Sequence, residues 1–207
     1  MALVDLRDRR PDGGRPLPLG GQRATSYRES TGAQFPGVPS AFDGGKKDIM
    51  VTVKQAASTF LANKRIAVTG VSRNAQGHGS NTVYKRLRDR GYQVFAVNPN
   101  ATEVEGDRCY PNLTAIPGGV DAVVIATKPD AAEATMRECA ELGITHAWMH
   151  RAFGEGSVCR DATVYGREHG ITVIDGGCPL MFEPTADVAH KVMRFVLTRT
   201  GKVPRTV

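Results

Sequence analysis

From Met50 onward, short apolar runs alternate with stretches of helical periodicity. Residues 53–61 predict a short helix with Val53, Ala57, Phe60 and Leu61 on one face. A strand follows over 66–69. The next helix is predicted to open near Gly79 or Ser80, to turn Val83, Tyr84 and Leu87 inward, and to stop at Gly91, where a glycine C-cap is expected. Strands are read at 93–98 and, as a short edge, around 108–110. The run Ala122-Val123-Val124-Ile125-Ala126 is apolar throughout, as a strand covered on both faces requires. Pro129 suits the first turn of a helix reaching Leu142 and ended by Gly143. A strand at 145–150, a helix capped by Ser157 and reaching His169, and a strand at 171–175 come next. The closing helix is predicted over about 185–198, with Val188, Val192, Phe195 and Val196 near one face.

Strands joined by helices of this length give right-handed crossovers and a parallel sheet. The fold class read from the pattern is therefore α/β, a doubly wound parallel sheet of Rossmann type, as a single domain over residues 50–207. Residues 1–49 break the pattern. They carry Pro11, Pro16, Pro18, Pro36 and Pro39 among glycines and arginines without apolar periodicity, which predicts a flexible arm. Gly44-Gly45-Lys46-Lys47 is encoded by purine-rich codons just ahead of Met50, as a ribosome-binding site would be, so a translation start at Met50 is also expected.

Composition narrows the function classes. The formal charge of +6 is compatible with an anionic ligand, but the basic residues are spread out rather than gathered into the stripe of a nucleic-acid surface. No apolar run approaches the roughly 20 residues that span a bilayer, and no signal-peptide pattern opens the chain, so a cytoplasmic location is expected. Cys109, Cys139, Cys159 and Cys178 form no C-x-x-C pair and meet no clustered histidines, so no metal site is read.

The chemistry-bearing stretch is the run Arg65-Ile66-Ala67-Val68-Thr69-Gly70 and the polar turn after it, which contains His78 and Gly79. A buried strand followed by a glycine-rich turn and a helix start directs backbone N–H groups at an anionic guest. Two common fingerprints are missing. Gly70, Gly77 and Gly79 do not space as G-x-G-x-x-G, and no G-x-x-x-x-G-K-[ST] occurs. About 20 residues past the last glycine, where dinucleotide binders place an acid for the ribose, the chain reads Val97-Asn98-Pro99.

The turn Gly70-Val71-Ser72-Arg73-Asn74, the tripeptide Asn98-Pro99-Asn100, the segment Asp107-Arg108-Cys109-Tyr110-Pro111 and Gly176-Gly177-Cys178-Pro179 resemble the small bacterial CoA-binding proteins, relatives of the cofactor-binding part of the succinyl-CoA synthetase α subunit. The resemblance covers residues 53–205. It implies CoA as the cofactor, with Gly70, Val71, Ser72 and Arg73 approaching its phosphates or sugar and Gly79, Ser80 and Asn81 receiving the pyrophosphate. Asn98 and Pro99 would line the adenine and ribose end. Ala126, Thr127 and Lys128 would flank the pantetheine arm, with Cys178 and Pro179 beyond it. Backbone N–H groups and Arg73 or Lys128 would balance the charge of CoA.

Several alternatives stay open at this level. Gly70 and Gly79 also suit a plain tight turn, Asn98-Pro99 plain strand termination, and His78 a solvated position. Cys178 reads either as an inert buried thiol or as a partner of the CoA thiol in a mixed disulfide. His146, His150, His169 and His190 show no catalytic arrangement in sequence, which favours a binding module for CoA or acyl-CoA over an enzyme. The competing readings are an NAD(P)-binding oxidoreductase and a CoA-ligase-like subunit that needs a separate partner chain. Neither nucleic acid nor membrane is an expected partner, and a homodimer is left open.

Overall fold

The computed structural model describes residues 51–207 apart from Ala75, Gly77, Phe153 and Glu155, so the arm expected over 1–49 and the start expected at Met50 lie outside the described residues. The elements run α1 (Val53–Ala62), β1 (Arg65–Thr69), α2 (Gly79–Arg88), β2 (Gln93–Val97), β3 (Glu103–Val104), β4 (Asp107–Tyr110), β5 (Ala122–Ile125), α3 (Pro129–Glu141), β6 (His146–Met149), α4 (Arg160–Glu168), β7 (Thr172–Asp175) and α5 (Val188–Arg199). A single 3-10 turn over Pro179–Met181 precedes α5.

The strands form one sheet in the order β3-β4-β2-β1-β5-β6-β7, parallel throughout except for β3 against β4. This is the doubly wound Rossmann-type sheet read from the sequence, with an antiparallel edge added. Alternate residues of a strand face opposite sides. In β1, Ile66 and Val68 join the core cluster under α1, α2 and α5, whereas Ala67 joins the cluster under α3 and α4. Strand β5 divides in the same way, Ala122 and Val124 against Val123 and Ile125, which is why its sequence is apolar at every position. Strand order reverses between β1 and β5. A crevice therefore opens at their carboxyl ends.

The amino ends of the same strands are fastened by one side chain. The Arg65 guanidinium donates to the carbonyl oxygens of Pro117 at 2.7 Å and Gly119 at 2.8 Å, and to Gln93 Oε1 at 3.0 Å. The Arg65 backbone N–H donates to Asp121 Oδ2 at 3.0 Å. These bonds join β1, β2 and the segment entering β5.

Four details differ from the sequence reading. The single edge strand expected near 108–110 is a hairpin, β3 to β4, turned by Glu105 at φ 51° and Gly106 at φ 79°. Helix α4 is preceded by Cys159 rather than Ser157, whose N–H donates instead to the His150 carbonyl at 2.9 Å. Helix α5 starts at Val188 because Asp187, not Thr185, accepts the His190 N–H at 2.9 Å. Thr185 is buried, donating its hydroxyl to the Pro179 carbonyl at 2.7 Å. Val188, Val192, Phe195 and Val196 do share a face of α5, but that face is exposed, and the helix docks through Leu197 and Met193.

Candidate functional site

The crevice is narrow because backbone meets backbone there. Gly70, directly after β1, has φ +74°, and a Cβ at this position would lie 2.6 Å from the Ala126 carbonyl oxygen and 3.1 Å from the Thr127 nitrogen. Only glycine satisfies both the left-handed conformation and the close approach.

Helix ends supply the electrostatics. His78 precedes α2 without a side-chain capping bond, and the first turn of α2 holds no acidic residue. Lys128 before α3 and Cys159 before α4 likewise make no side-chain cap. By contrast, α1 is closed by a capping box from Thr52 and Gln55, and α5 by Asp187. Helices α2, α3 and α4, each following a strand's carboxyl end, thus leave first-turn N–H donors without a cap from the preceding side chain, with the positive end of each helix dipole beside them.

Side chains of the turn are used to hold its shape. Asn81 Oδ1 accepts the Ser72 N–H at 2.9 Å, while Asn81 Nδ2 donates to the Ser72 carbonyl and to Glu105 Oε1, each at 2.8 Å. The Ser80 hydroxyl donates to the Gly70 carbonyl at 2.9 Å. The bond from Asn81, with support from Lys85, holds the Glu105 carboxyl below the usual carboxylate range. What Ser80 and Asn81 can offer an anion is therefore their backbone N–H. Asn98, just beyond β2, is occupied in the same way. Its Nδ2 donates to the Val71 carbonyl at 2.8 Å and its Oδ1 accepts the Asn100 N–H at 2.9 Å.

Two hollows meet over the crevice. One, of about 430 Å³, is lined by Gly70, His78, Gly79, Ser80, Ala126, Thr127 and Lys128, and beyond them by His150, Ala152, Gly156 and Ser157. The other, of about 560 Å³, extends to the β2 side past Ser72, Asn98, Pro99 and Asn112 and shares Gly70, His78, Ala126, Thr127 and Lys128 with the first. Thr127 Oγ1 is buried at their junction and has no hydrogen-bond partner among the described residues. A buried hydroxyl left unpaired is costly, so this oxygen is a candidate contact for a ligand.

Nine of the residues singled out in the sequence line these joined hollows: Gly70, Ser72, Gly79, Ser80, Asn98, Pro99, Ala126, Thr127 and Lys128. The other five sit elsewhere. Val71 is fully buried in the core, and Asn81 braces the turn from behind. Arg73 is exposed and borders a third hollow of about 510 Å³ together with Pro99 and Cys109. Pro179 is buried in the 3-10 turn. Cys178 lines a smaller chamber of about 190 Å³ that adjoins the first hollow through Gly79, His150 and Ala152. Burial pushes its thiol up to about 12.

His150 is the main residue that sequence reasoning missed. It follows β6 at the carboxyl edge, and its Cε1 lies 3.1 Å from where a Cβ on Gly79 would stand. Burial lowers its imidazole to about 4, so the ring is neutral near pH 7. The signal that finds it is positional, a polar residue directly after an apolar strand on the ligand-facing edge. Among the described residues no group of His, Cys, Asp or Glu is placed to hold a metal ion, and no helix is long and apolar enough to cross a membrane.

Comparison with known proteins places this geometry. A family profile described as a CoA binding domain matches residues 64–184. The chain is 34% identical over 106 residues to the ADP-forming acetate–CoA ligase II of Archaeoglobus fulgidus, a match covering 50% of this chain and 16% of the ligase. It is 30% identical over 132 residues to the uncharacterised protein YneT of Bacillus subtilis, covering 64% of this chain and 89% of that one. Among solved structures, a hypothetical protein from Pyrococcus horikoshii superposes with a TM-score of 0.56 at 26% identity, covering 61% of this chain and 87% of its own. Against the ligases the chain spans only a small part of their length, 16% to 21% in three of them. The matched residues run from the end of α1 past the 3-10 turn and include both hollows over the crevice, and the chain belongs to the CoA-binding domain family.

Proposed function

We propose that the chain binds CoA or an acyl-CoA in the joined hollows at the carboxyl edge of the sheet and is non-catalytic on its own. The observation that carries the reading is the end of β2. Dinucleotide binders hold the ribose there with a carboxylate, whereas here a neutral amide stands at the position and is tied to Val71 and Asn100. Without that acid, the open donors of α2 remain the principal attraction, and they favour the phosphates of a nucleotide.

The residues fit CoA in order along the edge. The adenosine end would lie against Asn98 and Pro99, the pyrophosphate over Gly70 and the first N–H groups of α2, and the pantetheine amides beside Ala126, Thr127 and Lys128. The unpaired Thr127 hydroxyl would bond one of those amides. Glycine at position 70 lets the turn after β1 close on Ala126, just past β5, where a Cβ would collide. Lys128 contributes positive charge beside the phosphates. Cytoplasmic location accords with this ligand.

A second reading, a CoA-handling subunit that works with a separate partner chain, is supported by the 34% identity over 98 residues to subunit alpha of an ADP-forming acetate–CoA ligase II from Pyrococcus furiosus. Calorimetry of the full chain against CoA, acetyl-CoA, NAD and ATP tests the first reading. Micromolar binding of CoA with no heat from NAD is the expected result, and tight NAD binding without CoA binding would overturn it.

A further inference from the structure

Beyond the two hollows lies the chamber of about 190 Å³, whose walls include Val83, Cys178, Leu180, His190 and Met193. Val83, Cys178 and Leu180 are each at most 3% exposed, and Met193 is a partly buried apolar neighbour of the same core cluster. Gly79, His150 and Ala152 line both this chamber and the pyrophosphate hollow, so the two adjoin at these residues, the neck that a guest would have to pass beside the His150 ring. The neck lies on the β6 side, opposite the adenosine end at β2. A ligand laid out as CoA therefore runs past Thr127 and Lys128 and points its sulfur end at His150.

On the reading that CoA binds here, we propose that this chamber receives the acyl group of a short-chain acyl-CoA and makes the protein selective for that class over free CoA. Chemistry and size both favour this occupant. The wall is chiefly apolar, and at about 190 Å³ the chamber is comparable with an apolar cavity of roughly 150 Å³ that takes a benzene, enough for a chain of a few carbons but not for a fatty-acyl tail. The neutral imidazole of His150 adds no charge at the neck, where a charged ring would oppose an apolar guest. The Cys178 thiol, protonated at neutral pH, packs as an apolar group and does not attack a thioester. Asp187 is not part of the wall; it is bonded to the wall residue His190 at Nδ1, 2.7 Å away, and to Arg86.

Calorimetry on the full chain with CoA, acetyl-CoA, butyryl-CoA and palmitoyl-CoA tests the proposal. Each methylene buried is worth about fourfold in affinity, so butyryl-CoA, longer by two methylenes, is expected to bind about fifteenfold more tightly than acetyl-CoA. Palmitoyl-CoA is expected to gain nothing over CoA. Two substitutions narrow the chamber from different walls, Met193→Trp on α5 and Thr82→Phe, an exposed position on α2. Each is expected to reduce the butyryl preference to below twofold while CoA affinity changes by less than twofold. Equal binding of CoA and butyryl-CoA by the unaltered protein overturns the proposal, as does a preference that survives both substitutions. Absence of binding by every CoA species overturns the underlying CoA reading as well, and is distinguishable from the other outcomes.

Discussion

Replacing Gly70 by alanine isolates the contact that sets the width of the crevice. Two costs add at this position. A non-glycine residue at φ +74° loses about 1–2 kcal/mol to left-handed strain. The new Cβ would also stand 2.6 Å from the Ala126 carbonyl oxygen and 2.9 Å from its carbon, so backbone must move, at about 1–3 kcal/mol for an overpacked site. The total is about 2–5 kcal/mol. Gly91→Ala is the matched control, since Gly91 has φ +82° but no atom within 4 Å of its Cβ position, leaving only the strain of about 1–2 kcal/mol. Urea denaturation followed by circular dichroism, with the slope compared between variants, measures both. The Gly70 variant is expected to be destabilised by at least 1 kcal/mol more than the Gly91 variant, and to lose at least tenfold in CoA affinity while the control keeps it. Equal destabilisation of the two variants would refute the argument that backbone contact fixes the crevice.

Three further outcomes are expected. The His150 ring is held at about 4 against an ordinary 6.5, so the unfolded chain takes up a proton first as pH falls; the stabilisation is complete above about pH 6.5 and declines toward pH 4, by on the order of 3 kcal/mol. His150→Gln should flatten the fall in urea midpoint across that window, and unchanged slopes would contradict the assignment. Thr127→Val removes a buried hydroxyl without a partner, so the apo protein is expected to gain up to about 1 kcal/mol while CoA affinity drops severalfold; loss of stability in the apo form would show that the hydroxyl is already satisfied. Cys178 is buried and Cys159 only partly so, and mass spectrometry after brief iodoacetamide treatment at pH 7.5, or after diamide with CoA, should find Cys159 modified ahead of Cys178; the reverse order would restore the mixed-disulfide reading.

The alternation of elements was legible because each major strand and helix repeats its period for long enough to be read. Residues 122–126 announced a strand covered on both faces, and Val83, Tyr84 and Leu87 announced the inner face of α2; all of these but Ala126, which sits at the crevice, are fully buried or nearly so. Strand β3 was not legible, since two residues carry no period. Its one local signal is Glu105-Gly106, a two-residue turn ending in glycine. For α5, periodicity marked an apolar face, but a period alone does not say which way the face points. In the crevice, glycines and strand ends pointed to backbone that does line the joined hollows. Sequence could not reveal that Asn81 and Asn98 spend their amides inward, nor that the chain after β6 brings His150 and Ser157 to the hollow, because both facts depend on contacts between distant segments.

The Arg65 clamp lies at the opposite end of the strands from the crevice. On the proposed binding reading, cohesion and recognition fall on different rims of one sheet. Loops on the ligand rim can be exchanged or lengthened without touching the bonds that knit the other rim, so specificity is free to diverge while the scaffold stays intact. For protein engineering this makes the sheet a chassis whose guest preference can be rewritten from one side.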